Sequence, residues 1–494
     1  MTSMEILNNI LTSLQSVFSL QTREPILFSS GTFWIIFIVF ISVYSLIRRQ
    51  KVQMMLYVTA FSLYFYYRAN GFMFLILPGT AFIDWALAIL IHKSQSQWKR
   101  RFYLIYSICL STGILFSFKY SNFFLETWNN LLANNLQPFD IFLPIGISFY
   151  TFQTISYITD VYRGKIKPTN SFLQYLFYLS FFPLILAGPI MRADKFFPQI
   201  QSKRYISKEM IYGGLWLIII GIIKKAVFAD YIAQYNNWVF DAPLQYSGFE
   251  GVMAVIGYSA QIYCDFSGYS DMSIGIASVM GFDLGKNFCL PYQSTNLQEF
   301  WRRWHISLST WMRDYIYIPL GGNRKGSFRT YLNNITTMLI AGLWHGASWM
   351  FIIWGGLHGV GLIIQKLNKP WLNRLPNTPV FNFFSWLLTF SFVSFLWIFF
   401  RAENLQQGIL LIKHIAQDFD LAHCLPFFQA RTTWCIFILL IYLFHCIRMQ
   451  QYEKVKTYFI NASWIVKVII FTITVQLVIQ FQSGNVQPFI YFQF

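Results

Sequence analysis

Residues 331–353 read YLNNITTMLIAGLWHGASWMFII, and this stretch decides what kind of molecule the chain is. It is close to the roughly 20 apolar residues that an α-helix needs to cross a hydrocarbon core of about 30 Å. It also carries His345, between Trp344 and Gly346. A histidine inside an apolar span is costly unless it has a partner or a task. Comparable apolar runs recur on both sides, at 26–47, 71–91, 102–118, 141–159, 172–190, 211–229, 382–400, 434–447 and 464–481, with shorter candidates at 52–67 and 251–264. The pattern predicts an all-α polytopic membrane protein of about ten to twelve transmembrane helices.

Composition agrees. Of 494 residues 55% are hydrophobic and 12% charged, about half the charged share of soluble domains. Phenylalanine, 53 residues of it, suits lipid, while tryptophan and tyrosine suit the interface. The formal net charge is +17. The basic residues stand in short loops beside apolar runs, which fits headgroups and orientation rather than nucleic acid. An anionic substrate, a coenzyme or an acidic polymer, is the other use for them. The six cysteines are scattered without a CxxC, so neither a disulfide scaffold nor a zinc site is expected. There is no leader of charged start and small-residue cleavage site, so the first span is expected to direct insertion.

Basic clusters at Arg48, Arg49 and Lys51, at Lys93, Lys99, Arg100 and Arg101, and at Arg163, Lys165 and Lys167 fall on one side of the expected spans. That side reads as cytoplasmic, with the N-terminus outside. The alternation then fails at Arg192, Lys195, Lys203, Arg204 and Lys208. A re-entrant segment around Pro183–Pro189 repairs it, since irregular backbone at membrane depth is tolerated where it lines a cavity. Residues 1–24 form an extension with Ile6, Leu7, Ile10, Leu11, Leu14, Val17 and Phe18 at helical spacing, read as a helix lying on the membrane surface. Residues 265–330 are the least membrane-like internal stretch and read as short helices and loops packed against or within the bundle.

Two motifs carry candidate chemistry. In EFWRRWHISLSTWMR (299–313), taken as one helix running to Tyr315, residues Trp301, His305, Leu308, Met312 and Tyr315 share a face. Either His305 anchors that helix structurally, or it orients substrate. In GLWHGA (342–347), small residues on either side of His345 let a substrate approach closely. A neutral imidazole in a tryptophan-lined apolar site is a competent general base. The competing reading is a packing histidine among small residues. His358, in GGLHG, ranks below it. No HExxH, GxSxG or Walker A pattern occurs, so metal, serine-hydrolase and ATP chemistry have no support in the sequence.

LPIGISFYTFQTISYITDVYRG (143–164), SFFPLILAGPIMR (180–192), IIKKAVFAD (222–230), YCDFSGYSDMSIGIASVMGF (263–282), NFCLPYQSTNLQEFWRRWHISLSTWMRDYIYIPLGGNRKG (287–326), GLWHGASWMFIIWGGLHG (342–359) and FIYFQF (489–494) together resemble the membrane-bound O-acyltransferase family. The similarity is to its bacterial branch, which acts in alginate O-acetylation, peptidoglycan O-acetylation and teichoic acid D-alanylation. It covers residues 25–494. It implies a ring of helices around a central funnel, with the invariant histidine, here His345, at its neck and His305 as second motif histidine. It implies acyl transfer, with acetyl as the expected group, from a cytoplasmic thioester donor, acetyl-CoA or another thioester. The acceptor would be an exported envelope polysaccharide, and the setting the bacterial inner membrane. No cofactor is expected to stay bound. The expected partners are the donor, a periplasmic acyltransferase or esterase-like protein and the lipid bilayer. His345 would act as base, and His305, Trp304 or a backbone amide would stabilise the oxyanion. Trp344 would line the site. Arg302, Arg303, Arg313, Lys224 and Lys225 would attract an anionic donor, or, for the two lysines, serve as ordinary positive-inside charge. Tyr491, the hydroxyl of the terminal six residues, is read either as an acyl relay or as an interfacial anchor. D-alanyl transfer and a transporter without catalysis are the alternatives. The transporter would be expected to show internal repeats, and no repeated motif is seen.

Overall fold

The computed structural model describes residues 25–481, other than Ala187, Lys203, Arg204, Asn373, Leu375 and Asn377, together with Ile490. The N-terminal extension and Tyr491 therefore lie outside the described residues. No strand occurs among those described, which are helices joined by turns and loops. Its contacts divide it into two compact units, residues 1–211 with 276–284, and residues 212–275 with 285–494.

In the first unit the helix Gly31–Ile47 shows how these helices meet two apolar environments at once. Its start is set by Ser30, whose side chain accepts the N–H of Phe33. Phe33, Phe37, Phe40 and Tyr44 fall on one face and are buried, with neighbouring rings 5.6 to 6.1 Å apart. Ile38, Val39 and Leu46, on the other side, are exposed, as a face toward lipid requires. The inner aromatic row closes on Phe182, whose ring lies 5.3 Å from that of Phe40 and 5.0 Å from that of Phe61. Phe182 opens the four-residue helix Phe182–Ile185, which follows a break at Phe181. The run 172–190 is thus no simple span. It is the helix Phe172–Ser180, the break and this buried turn. Pro183 fits the first turn after the break, and Pro189 bars regular continuation.

The second unit contains Lys208–Ile222 from Tyr212 onward, with a π-helical segment Ile223–Ala229 leading to Asp230–Asp241. Most of the helix Gly248–Val279 belongs to it, as do Gly326–His345, Trp349–Leu372, Pro379–Arg401, Leu405–Gln417, Met449–Asn461 and Trp464–Phe481. A pair of helices, Leu421–Ala430 and Thr432–Cys446, is bent by 97° between its members.

The helices make this a multi-pass membrane protein. Six helical stretches among the described residues are long and apolar enough to cross a bilayer, or seven if the bent pair is one crossing. That is fewer than the expected ten to twelve by length and composition, with Gly31–Ile47 a shorter apolar helix beside them. Several apolar runs are apolar because they are buried in protein. The helix Ile147–Tyr162 is buried over nearly its whole length, and 331–353 is two helices interrupted at Gly346–Ser348. The run 52–67 joins 71–91 in one 43-residue stretch, Lys51–Lys93. Of the stretch 265–330, expected as short helices and loops, residues up to Val279 instead complete the 32-residue helix Gly248–Val279, and the part from 287 to 325 holds the short helices Pro291–Gln293, Leu297–Arg303, Ile306–Met312 and Arg313–Tyr317.

Candidate active site

His345 is the last residue of the helix Gly326–His345. Its ring is 97% buried and set among aromatic faces and edges. Trp344 is 5.0 Å away, Trp354 5.0 Å and Phe400 5.2 Å, each steeply inclined to it. The glycines beside it have a different task from the one the sequence suggested. A side-chain carbon on Gly342 would lie 2.2 Å from the carbonyl oxygen of Phe351, and one on Gly346 would lie 2.0 Å from the Phe351 ring. These positions are small so that the helix Trp349–Leu372 can fold back against the His345 helix. The close approach they permit is of backbone, and it brings Trp354 onto the histidine. His345 also stands at the carbonyl end of its helix, where developing positive charge is favoured.

His305 departs from the single-helix expectation. The helix Leu297–Arg303 ends at Trp304, His305 is left-handed with φ 43°, and a new helix Ile306–Met312 begins. Trp301, His305, Leu308 and Met312 therefore do not form one helical face. The cause lies upstream. Cys289 N–H donates to the carbonyl of Arg303, and Ile306 N–H to the carbonyl of Asn287, both at 2.9 Å. The Asn287 side-chain oxygen accepts from Ser307 N–H at 3.2 Å and from the Ser307 hydroxyl at 2.9 Å, and stands 3.3 Å from His305 Nδ1. Its amide nitrogen donates to Ser270 at 3.1 Å. These bonds hold a backbone conformation that a residue with a side chain adopts only under constraint. His305 is fully buried beneath Phe266 and near Trp344. Burial pulls its pKa down from the ordinary value to about 3, so the ring is neutral. With Nδ1 facing an acceptor oxygen, the proton belongs on Nδ1. Nε2, which has no hydrogen-bond partner among the described residues, then offers a lone pair.

A cavity of about 150 Å³ adjoins these elements, lined by Trp301, Ser309, Arg313, Asn334, Met338 and Ala341 among others. Asn334, Met338 and Ala341 lie on the helix that carries His345, at steps of four and three residues. One further step of four along the same face is His345 itself. Arg313 is exposed, so the cavity reaches the surface at its guanidinium, which also pairs with Asp314 at 2.7 Å. Two buried N–H donors, Trp301 Nε1 and Asn334 Nδ2, have no partner among the described residues.

The structure thus brings both His305 and His345 against Trp344, with ring separations of 5.9 and 5.0 Å to it. Trp304 packs against Phe300, Phe288 and Trp397. Arg302 is exposed and makes no ion pair among the described residues, whereas Arg303 is engaged by Glu299 at 2.8 Å. Lys225 is buried and pairs with Asp230 and Asp265. Trp354, Phe400, Asn287 and Asn334 were not singled out in the sequence. An asparagine in an apolar helix, as at 334, is the signal that points to one of them.

The family model described as MBOAT, membrane-bound O-acyltransferase family, matches residues 165–405. The chain is 36% identical over 378 residues to a peptidoglycan O-acetyltransferase of Helicobacter pylori, covering 71% of this chain and 72% of that one. It is 39% identical over 385 residues to a probable alginate O-acetylase of Pseudomonas aeruginosa, covering 77% and 72%. To a teichoic acid D-alanyltransferase of Bacillus subtilis it is 29% identical over 271 residues, covering 52% and 68%. The chain belongs to the membrane-bound O-acyltransferase family and is an acyltransferase.

Proposed function

We propose that this enzyme moves an acetyl group from a cytoplasmic thioester, with acetyl-CoA as the donor, toward an exported envelope polysaccharide in the bacterial inner membrane, acting with a periplasmic acyltransferase or esterase-like partner. The observation that carries this reading is the helical face of Asn334, Met338 and Ala341, which lines one side of the cavity and continues, one step of four residues further on, to His345. A slender thioester arm fits an apolar cavity. Trp301 and Asn334 offer N–H donors for amide carbonyls along such an arm. Arg313 at the rim, with exposed Arg302 nearby in sequence, suits the anionic end of a coenzyme.

The chemistry follows from the two imidazoles. His345 takes the proton of an acceptor hydroxyl as that oxygen bonds to the thioester carbon. The tetrahedral adduct collapses by breaking the C–S bond. The leaving thiolate recovers the proton from the His345 imidazolium. His305 Nε2, a lone pair in a dry setting, accepts a hydrogen bond from the incoming hydroxyl and orients it.

The first acceptor in this scheme is Tyr491. Its phenol leaves as an aryl ester, more reactive than an alkyl ester, which passes the acetyl group to a further hydroxyl and regenerates the phenol. This relay supplies the reach that a base fixed in the membrane lacks.

The test is acetylation of envelope polymers, read by mass spectrometry, in cells carrying His345→Ala or Tyr491→Phe. Both should lose acetylation at normal membrane abundance. Retained acetylation in His345→Ala overturns the base assignment. Retained acetylation in Tyr491→Phe overturns the relay and leaves the base standing.

A further inference from the structure

Lys225 lies in the π-helical segment Ile223–Ala229, a local widening that often marks a functional position. It is 1% exposed, and its ammonium pairs with Asp230 at 2.8 Å and with one oxygen of Asp265. The other oxygen of Asp265 accepts the main-chain N–H of Ile490 at 3.0 Å. Ile490 is itself buried, at 6% exposure. So the carboxylate holds a cation on one side and a residue 225 positions later in the chain on the other.

Buried ion pairs are weak sources of stability, because desolvation offsets most of the attraction. This one has a further peculiarity. Two carboxylates meet one ammonium, so the cluster is one positive charge short. A peptide N–H aimed at the second oxygen of Asp265 supplies the missing partner through a charge-assisted hydrogen bond.

We propose that the Lys225–Asp265 pair is a dock for the C-terminal segment, gripping its main chain at Ile490, the residue before Tyr491. Lys225 fixes the carboxylate, and Asp265 fixes the tail. Both are positioning residues for the relay, and the proposal rests on the reading above that Tyr491 carries the acyl group. A grip on the main chain is indifferent to the side chain it holds but not to the loss of its N–H. Valine at 490 is compatible with it and proline is not.

The experiment uses the full-length enzyme in nanodiscs and two readouts. The first is amide hydrogen exchange of the C-terminal peptide. Wild type should be protected there, and Asp265→Asn, which keeps the shape and removes the charge, should exchange about tenfold faster, the loss expected for a hydrogen bond to a charged group. The second is acyl transfer onto the C-terminal peptide from a thioester donor, read by mass. Ile490→Pro, which removes the N–H bonded to Asp265, should lower its rate about tenfold or more, while Ile490→Val, which keeps that N–H, stays near wild type. Terminal amides that exchange in wild type at the rate of an unstructured peptide overturn the dock. So does wild-type transfer in Ile490→Pro. If Tyr491→Phe keeps its polymer acetylation, the relay reading falls, and the exchange experiment still decides whether the tail is docked.

Discussion

Gly342 presses its Cα directly against the carbonyl of Phe351, leaving only 2.2 Å where a side-chain carbon would stand. The contact joins the helix that ends in His345 to the helix that brings Trp354 onto it. Gly342→Ala should therefore push the two helices apart, cost about 1–3 kcal/mol, and lower transfer through displacement of His345 rather than through any lost chemistry. Gly356→Ala, where the added carbon would meet only Leu339 at 3.5 Å, serves as the control and should be near neutral. Thermal unfolding and activity of the two variants decide it, and equal effects would contradict the assignment.

Asn287 and His305 should behave as one unit. Asn287 holds the left-handed turn in which His305 sits, through Ser307 and through the ring nitrogen. Asn287→Ala leaves the half-buried main-chain N–H of Ser307 without its acceptor and should cost about 1–3 kcal/mol. Combined with His305→Ala, the losses in transfer should be well short of additive, with a coupling of about 1 kcal/mol or more. Strict additivity in the double-mutant cycle would separate the two residues.

His305 also predicts a pH dependence of stability. Burial holds its pKa near 3 in the folded protein, below the ordinary value of 6.5. Between those values the unfolded chain binds a proton at this site that the native chain does not. Stability is therefore full above the unfolded value and falls as the pH drops below it, by up to about 1.4 kcal/mol per pH unit from this group. His305→Gln should flatten that limb of the thermal midpoint measured from pH 8 down to pH 4.5. Parallel curves for variant and wild type would show that the ring is not the group responsible.

Arg313→Gln removes the cation at the cavity rim while leaving its apolar lining. KM for a coenzyme A thioester should rise several-fold with kcat little changed, because the lost contact is made equally in ground and transition states. A pantetheine thioester, which lacks the nucleotide, should not distinguish variant from wild type. Loss of kcat for both donors would place Arg313 in the chemistry instead.

Much of this was legible from the chain. The apolar runs gave the fold class, and the ordered motifs gave the family with His345 and His305 as its candidates. The count of spans was not, because an apolar run buried in protein and one facing lipid look alike in hydropathy. The break at His305 was hidden for another reason. Nothing within EFWRRWHISLSTWMR interrupts a helix; the interruption is made by Asn287 and Cys289, whose main-chain groups compete from outside the segment. The glycines around His345 announced a close approach without saying of what. Lys225 read as ordinary loop charge, since its partner Asp265 is forty residues away and carries no mark of the pairing. In each case the missing information was which distant group arrives, and local pattern does not hold it.

The aromatic walls around His345 bear on what the enzyme must refuse. An activated acyl group beside a base has an abundant competitor in water, and every ester lost to it is a thioester consumed in a futile cycle. Trp344, Trp354 and Phe400 present ring faces and edges to the imidazole and give a wandering water little to bind. On the reading proposed above, the trait they confer is fidelity: a site in which the acceptor with a place made for it outcompetes the solvent that has none.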